Sequence, residues 1–218
     1  MNLANKIFNI LSEKDFENLA LEIFQYQYKE VKVYQQFCNL LKVNPNNVNS
    51  LNKIPFLPIQ FFKSHQIIAE NKKHKVVFSS SGTTGSILSK HYVHDLQLYK
   101  TGFTKTFNSF MKSSKELTIL ALLPNYLERE GSSLVFMVNE LIKQSNNINS
   151  GFYLNDLSSL IQKIEYLENN NRKTLLVGVS YALLDLIEIK KFKLKNTIIM
   201  ETGGMKGRNH CLYYYFVL

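Results

Sequence analysis

The stretch KVVFSSSGTTGSILSKH, residues 75–91, sets two glycines among a run of hydroxyl side chains directly behind a short apolar segment. Gly82 and Gly85 permit backbone conformations and close approaches that other residues resist. Ser79, Ser80, Ser81, Thr83 and Thr84 add hydroxyl donors around consecutive backbone N–H groups, and such a run makes a concave cage for phosphate oxygens. It is not the common P-loop, which needs a lysine directly after its last glycine; here Ser86 follows Gly85 and the nearest lysine is Lys90. The plain alternative is a Ser/Gly turn between strands, which is what these residues commonly make.

Three further segments combine reactive side chains with glycine: PNYLEREGSS (124–133), GVSYALLD (178–185) and ETGGMKGR (201–208). In the first, a helix starting near Ser132 would favour a bound anion by up to about 2 kcal/mol, which nominates Arg129 or Ser132 to face a ligand. A solvated charged turn is the competing reading of Glu128, Arg129 and Glu130. Apolar stripes such as Leu134, Met137, Val138 and Leu141 read as core. His65, His74, His94 and His210 show no metal-ligand spacing.

The elements around these segments follow from hydrophobic period. Residues 1–42 read as helices: Phe16, Leu19, Ala20, Ile23 and Phe24 recur at three-and-four spacing, Tyr34, Phe37, Leu40 and Leu41 continue the face, and Ser12 with Asp15 is a start signal. IPFLPIQFFKS (54–64) carries two prolines and reads as an extended, irregular arm. From residue 75 strands alternate with helices: strands at 75–79, 117–123, 151–154, 174–179 and 196–201, helices at about 95–110, 131–144, 157–169 and 180–189. LTILALL, TLLVGVS and NTIIM are apolar on both faces, as parallel strands covered by helices are. The expected fold class is therefore α/β, a layered, mostly parallel sheet with helices on both faces, preceded by a small N-terminal helical segment. The four segments singled out above all follow strands, where open α/β sheets bind their ligands.

Composition limits the classes of function. The 218 residues carry 26 Lys and Arg against 17 Asp and Glu, a formal charge of +9, mostly scattered lysine with its densest stretch at Lys190, Lys191, Lys193 and Lys195. Such a balance suits nucleic acid, an anionic membrane surface or phosphate-bearing small molecules. Few arginines, no zinc-finger spacing and no glycine-aromatic RNA-binding signature weigh against nucleic acid. The two cysteines form no disulfide framework, and Cys38 falls on an apolar helical face where a packed thiol is expected. Nothing near the N-terminus reads as a signal peptide, and no apolar stretch reaches the roughly 20 residues of a membrane span. A cytoplasmic location is the expectation.

SSSGTTGS followed by lysine resembles the phosphate-binding signature of adenylate-forming enzymes, and IPFLPIQFFKSH, SSGTTGSILSKHYVHDLQLY, LLPNYLEREGSSL and METGGMKGR, in this order, resemble the LuxE-like acyl-protein synthetases. The resemblance runs from about residue 20 to Arg208 and implies the N-terminal part of an adenylate-forming enzyme. It implies that Ser80, Ser81, Gly82, Thr83, Thr84 and Gly85 grip the β- and γ-phosphates of ATP, and that Gly203 and Gly204 lie against the adenine. A turn ending a strand is the other reading of that glycine pair. Leu88 stands where the wider pattern has a basic residue, and Lys90 is nominated in its place. His91 would steady the acyl carboxylate or acyl phosphate, a packed or surface histidine being the alternative. Ser180 and Tyr181 are candidates for contact with the substrate; Leu183, Leu184 and Ile187 read as core, with Tyr181, Leu183 and Leu184 alternatively lining an acyl tunnel.

The implied activity is ATP-dependent activation of a long-chain fatty acid as an acyl adenylate, with Mg²⁺ sharing the charge, followed by transfer to a protein thiol and reduction by a partner reductase. The implied partners are thus a fatty acid and an acyl-accepting protein or reductase subunit. The family continues beyond this point into a Tyr-Gly-x-Thr-Glu motif and a small C-terminal domain, whereas here the tail NHCLYYYFVL loses the resemblance after Arg208. The expectation is a C-terminally truncated member with segments 1–64 (helices and arm), 65–208 (nucleotide-binding part) and 209–218 (apolar tail). Its alternative is a non-catalytic nucleotide- or acyl-binding module.

Overall fold

A computed structural model describes residues 3–80, 87–111, 113–124 and 131–203. The described residues form two compact units, one holding the chain up to Phe103 with Gly131–Ser133 and the other holding the rest.

The first unit begins with α1 (Leu3–Lys6), α2 (Glu13–Glu30) and α3 (Lys32–Leu40). Ser12 caps α2 as its sequence predicts, its Oγ accepting from the Asp15 N–H at 3.1 Å. The buried face is narrower than its period suggests: Leu19, Phe24, Tyr34 and Cys38 are buried, but Phe16, Leu40 and Leu41 are exposed. Phe24, Val31, Tyr34, Cys38, Val48 and Ala69 form one small core, and that set is filled without the outlying apolar residues. Cys38 is wholly buried, and burial pushes its thiol up, which makes it the inert packed cysteine expected. The arm is anchored by the Tyr34 hydroxyl, which donates to the Pro55 carbonyl at 2.7 Å. It is not extended throughout. After Pro58 it winds into a single helical turn, α4 (Phe61–Ser64), with Phe61 edge-on to Phe37.

A second departure concerns the strand before the hydroxyl-rich loop. β1 (Val76–Ser79) does not join the parallel sheet but pairs antiparallel with β2 (Lys90–Val93), a strand the sequence does not announce. The hairpin closes on itself because β2 follows within reach, and β1 is only half-covered along most of its length, unlike a strand buried on both faces. α5 (Leu96–Met111) leads out of it.

The second unit is the expected parallel sheet. β3 (Thr118–Leu122), β4 (Gly151–Phe152), β5 (Thr174–Gly178) and β6 (Thr197–Glu201) lie in the order β4-β3-β5-β6, all parallel. α6 (Ser133–Ser145), α7 (Leu157–Asn169) and α8 (Ser180–Ile189) make the crossovers. Right-handed connections send α6 to one face, since β3 to β4 runs one way along the sheet, and α7 and α8 to the other, since the next two steps run back. Leu120, Leu122 and Leu176 pack with Leu160, Ile164 and Leu167 of α7 and Leu183 and Leu186 of α8. Alternation then turns Ile119, Ala121, Leu175 and Val177, all buried, to the face of α6, whose Val135, Val138 and Leu141 are buried too. Each such side chain contributes about 1.5–3 kcal/mol by leaving water. Of the α6 stripe read as core in the sequence, Val138 and Leu141 are buried, while Leu134 and Met137 are half-buried.

Candidate functional site

In the first unit, the candidate site is the neck of the hydroxyl-rich loop. The Ser80 N–H donates to the Ser89 carbonyl at 3.0 Å, and the Ser89 N–H donates to Ser80 Oγ at 3.1 Å. These two bonds pinch the hairpin connection shut at its base, with one predicted site hydroxyl already used in the closure. Ser81, Gly82, Thr83, Thr84 and Gly85 lie outside the described residues. Lys90 stands opposite Ser79 in the hairpin register, is exposed, and makes no ion pair with any described residue. It stands at the neck of the loop with no carboxylate partner among the described residues.

The segment entering α6 runs along β1. The Ser79 N–H donates to the Gly131 carbonyl at 2.9 Å, so Gly131 completes hydrogen bonding that β2 does not supply. Gly131 holds φ at 81°, and a Cβ there would meet Ser79 Oγ at 3.4 Å. Its conformation suits glycine alone. Ser132, half-buried, follows directly, so the structure brings it to the β1 side of the loop neck, while Arg129 lies outside the described residues.

His91 faces Phe78 across the hairpin, with its ring edge-on to Phe62 at 6.3 Å and to Tyr99 at 6.1 Å. Although the residue keeps exposed surface, this aromatic packing desolvates the imidazole and lowers its pKa. At neutral pH His91 is therefore an uncharged ring that can donate or accept a hydrogen bond. Tyr99 in turn packs on Phe78 with its ring tilted by 35° and the centroids 5.0 Å apart, and its hydroxyl is pushed up by burial, an effect that a hydrogen bond with Ser133 partly offsets. Because folding favours neutral His91, its stabilising effect is complete above its ordinary value of 6.5 and lost as pH falls from there through the lowered value. Thermal melts at pH 7.5 and 5.5 should show a smaller loss of stability on acidification for His91→Phe than for the wild type.

In the second unit, the carboxyl ends of β5 and β6 meet the start of α8. The register sets Gly178 beside Glu201. The Glu201 carboxylate accepts from Ser180 Oγ, and the same oxygen accepts from the Gly203 N–H at 2.8 Å. The Gly178 carbonyl accepts from both the N–H and the hydroxyl of Thr202, at 3.0 and 3.1 Å. The chain is thereby bent into a turn in which Gly203 holds φ at 73°, and a Cβ there would meet nothing within 4 Å. Glycine is needed for the backbone, and no described residue fills the space beside it. Gly178 is the opposite case: a Cβ would come within 3.0 Å of Leu183 and 3.1 Å of Leu122, so glycine is needed for room.

Ser180 is 2% exposed and its hydroxyl is engaged by Glu201; Tyr181 belongs to the core cluster. Gly203 shares the turn with them, and Gly204 lies outside the described residues. Sequence reasoning did not nominate Glu201, which nevertheless organises this end of the sheet. A carboxylate directly before Thr-Gly-Gly at a strand end was the available signal. Among the described residues no group of three or more His, Cys, Asp and Glu is placed to hold a metal ion.

Residues 10–117 match the family model of acyl-protein synthetase, LuxE. The match takes in α2 and α3, the arm, the hydroxyl-rich loop with its neck, Lys90 and His91, and ends just before β3. No curated protein and no solved structure matches the chain.

Proposed function

We propose that the chain is an acyl-protein synthetase of the LuxE kind, which uses ATP to activate a long-chain fatty acid for transfer to a protein thiol. The observation that carries this reading is the family match across residues 10–117, within which the hydroxyl-rich loop is closed at its neck beside Lys90, a lysine with no ion pair among the described residues.

A carboxylate is a poor electrophile because its charge repels nucleophiles and oxide cannot leave. Attack of the acid on the α-phosphorus of ATP forms a carboxyl–phosphate bond, breaks the bond to pyrophosphate and creates a good leaving group. The protein's task is to hold two anions in line and to stabilise the charge that builds on pyrophosphate. In this reading, Ser81 through Gly85 supply N–H and hydroxyl donors to the phosphates, and Ser80, whose N–H is bonded to the Ser89 carbonyl, adds its hydroxyl proton alone. Lys90 adds charge at the same mouth, and His91 supplies a neutral hydrogen bond. Ser132, next to the start of α6, is proposed for the anionic substrate, and Arg129 with it. Gly203, in a turn that only glycine can make, and Gly204 are proposed for the flat face of a nucleobase. Ser180 serves there through Glu201, and Tyr181 through the core it helps to build. Mg²⁺ when bound would neutralise phosphate charge. The acyl acceptor, a protein thiol or reductase subunit, is proposed on the same footing.

Calorimetric titration tests the nucleotide part. ATP should bind more tightly than AMP, because the loop reads the outer phosphates; equal affinities, or no binding, would contradict the reading.

A further inference from the structure

The lysine stretch that the fold does not explain lies at the end of the parallel sheet away from Gly203. Residues 190–194 connect α8 to β6, and along them Phe192 and Leu194 pack against the core, while Lys191, Lys193 and Lys195 alternate with them and are exposed. With the intervening Phe192 and Leu194 turned to the core, the three exposed lysines form a comb. Its base is firmly held: Glu168 of α7 accepts from the Lys195 and Asn196 N–H groups at 3.0 and 3.1 Å and from Thr197 Oγ1 at 2.6 Å. Burial raises the Glu168 pKa, but these donors outweigh it and leave the carboxyl below its ordinary range.

The register puts other cations on the same edge. Thr118, Thr174 and Thr197 are neighbours at the N-terminal ends of β3, β5 and β6, and the residues leading into them include Lys115, Arg172 and Lys173, all exposed. None of these six cations makes an ion pair with a described residue. The acids present are engaged or few: Glu165 pairs with Lys190, Glu168 is bonded as above, and Glu116 and Glu188 are exposed.

Right-handed crossovers also bring the C-terminal ends of the helices to this edge. There the large apolar side chains are turned outward: Phe110 near the end of α5 (81% exposed), Ile148 between α6 and β4 (97%), Tyr166 late in α7 (57%) and Ile189 at the end of α8 (61%). Hydrogen bonds tie their connections together, Ser114 Oγ with Gln144 and Asn147 Nδ2 with Thr118 Oγ1.

Protruding apolar residues within a collar of unpaired cations match the layered chemistry of a bilayer surface, where acyl chains lie beneath anionic headgroups. We infer that this edge of the second unit docks on the surface of an anionic lipid membrane, with Phe110, Ile148, Tyr166 and Ile189 entering the headgroup layer and the lysine comb pairing with lipid phosphates. No helix among the described residues is long and apolar enough to cross a membrane, so the contact is peripheral. A polyanion such as single-stranded nucleic acid would use the cations but leave the protruding apolar residues in water. The inference rests on this edge alone and not on the activity proposed above.

The test is co-sedimentation of the full chain, without nucleotide, with vesicles of phosphatidylcholine alone and with about a third phosphatidylserine or phosphatidylglycerol. Binding should need the anionic lipid. The triple variant Lys191→Glu, Lys193→Glu, Lys195→Glu should weaken it on the order of 100-fold, by the usual contribution of each lysine at a charged bilayer. Ile148→Ser, at a fully exposed loop position where the fold is not at stake, should weaken it several-fold with the melting temperature unchanged. Equal binding by wild type and the triple variant, insensitivity to Ile148→Ser, or tight binding to single-stranded DNA with none to anionic vesicles would each overturn the inference.

Discussion

Lys90→Ala should raise the dissociation constant for ATP by roughly 10- to 100-fold, the loss of about 1.5–3 kcal/mol expected when a hydrogen bond to a charged group is removed. Lys90 is exposed at the end of β2, opposite Ser79, and no carboxylate among the described residues engages its ammonium. The fold therefore gains little from it, and the melting temperature should stay within the small range of ordinary surface substitutions. Lys90→Arg should keep much of the affinity, because charge at the loop mouth is retained. If Lys90→Ala leaves ATP affinity intact, the lysine is only a solvated residue at a hairpin neck.

Glu201→Ala acts on a different quantity. It removes the acceptor shared by Ser180 Oγ and the Gly203 N–H, and Ser180 is almost wholly buried, so its hydroxyl cannot turn to water instead. An orphaned buried donor costs about 1–3 kcal/mol, and losing the second bond loosens the turn further. The expected loss is about 2–3 kcal/mol in urea unfolding, with the slope against denaturant unchanged. Glu201→Gln keeps an oxygen that can accept both bonds and should recover more than half. No recovery would mean that the negative charge itself, next to the start of α8, matters more than the acceptor.

The parallel sheet was legible because LTILALL and TLLVGVS are apolar at every position, and β3 and β5 are indeed buried along their whole length. β2 was not legible: KHYV begins with two exposed polar residues and gains its strand character only from pairing with β1. Period also overstated the helical core, since it counts Phe16 and Leu40 as inward although the small core is filled without them. Around the site, the loop and Lys90 were visible as residue types at a spacing. Glu201 was not, because its role exists only once the sheet sets β6 beside β5 and brings Gly203 back over the start of α8. Gly131 escaped for the same reason, its demand being a φ of 81° against β1 and not a pattern in the chain.

The most direct test of the proposed activity is the exchange of labelled pyrophosphate into ATP, measured with and without a long-chain fatty acid. An acid-activating ligase forms its acyl–phosphate bond reversibly, so label should enter ATP only when the acid is present, and Lys90→Ala should slow that entry. No label in ATP at saturating acid, or entry that ignores the acid, would contradict the account.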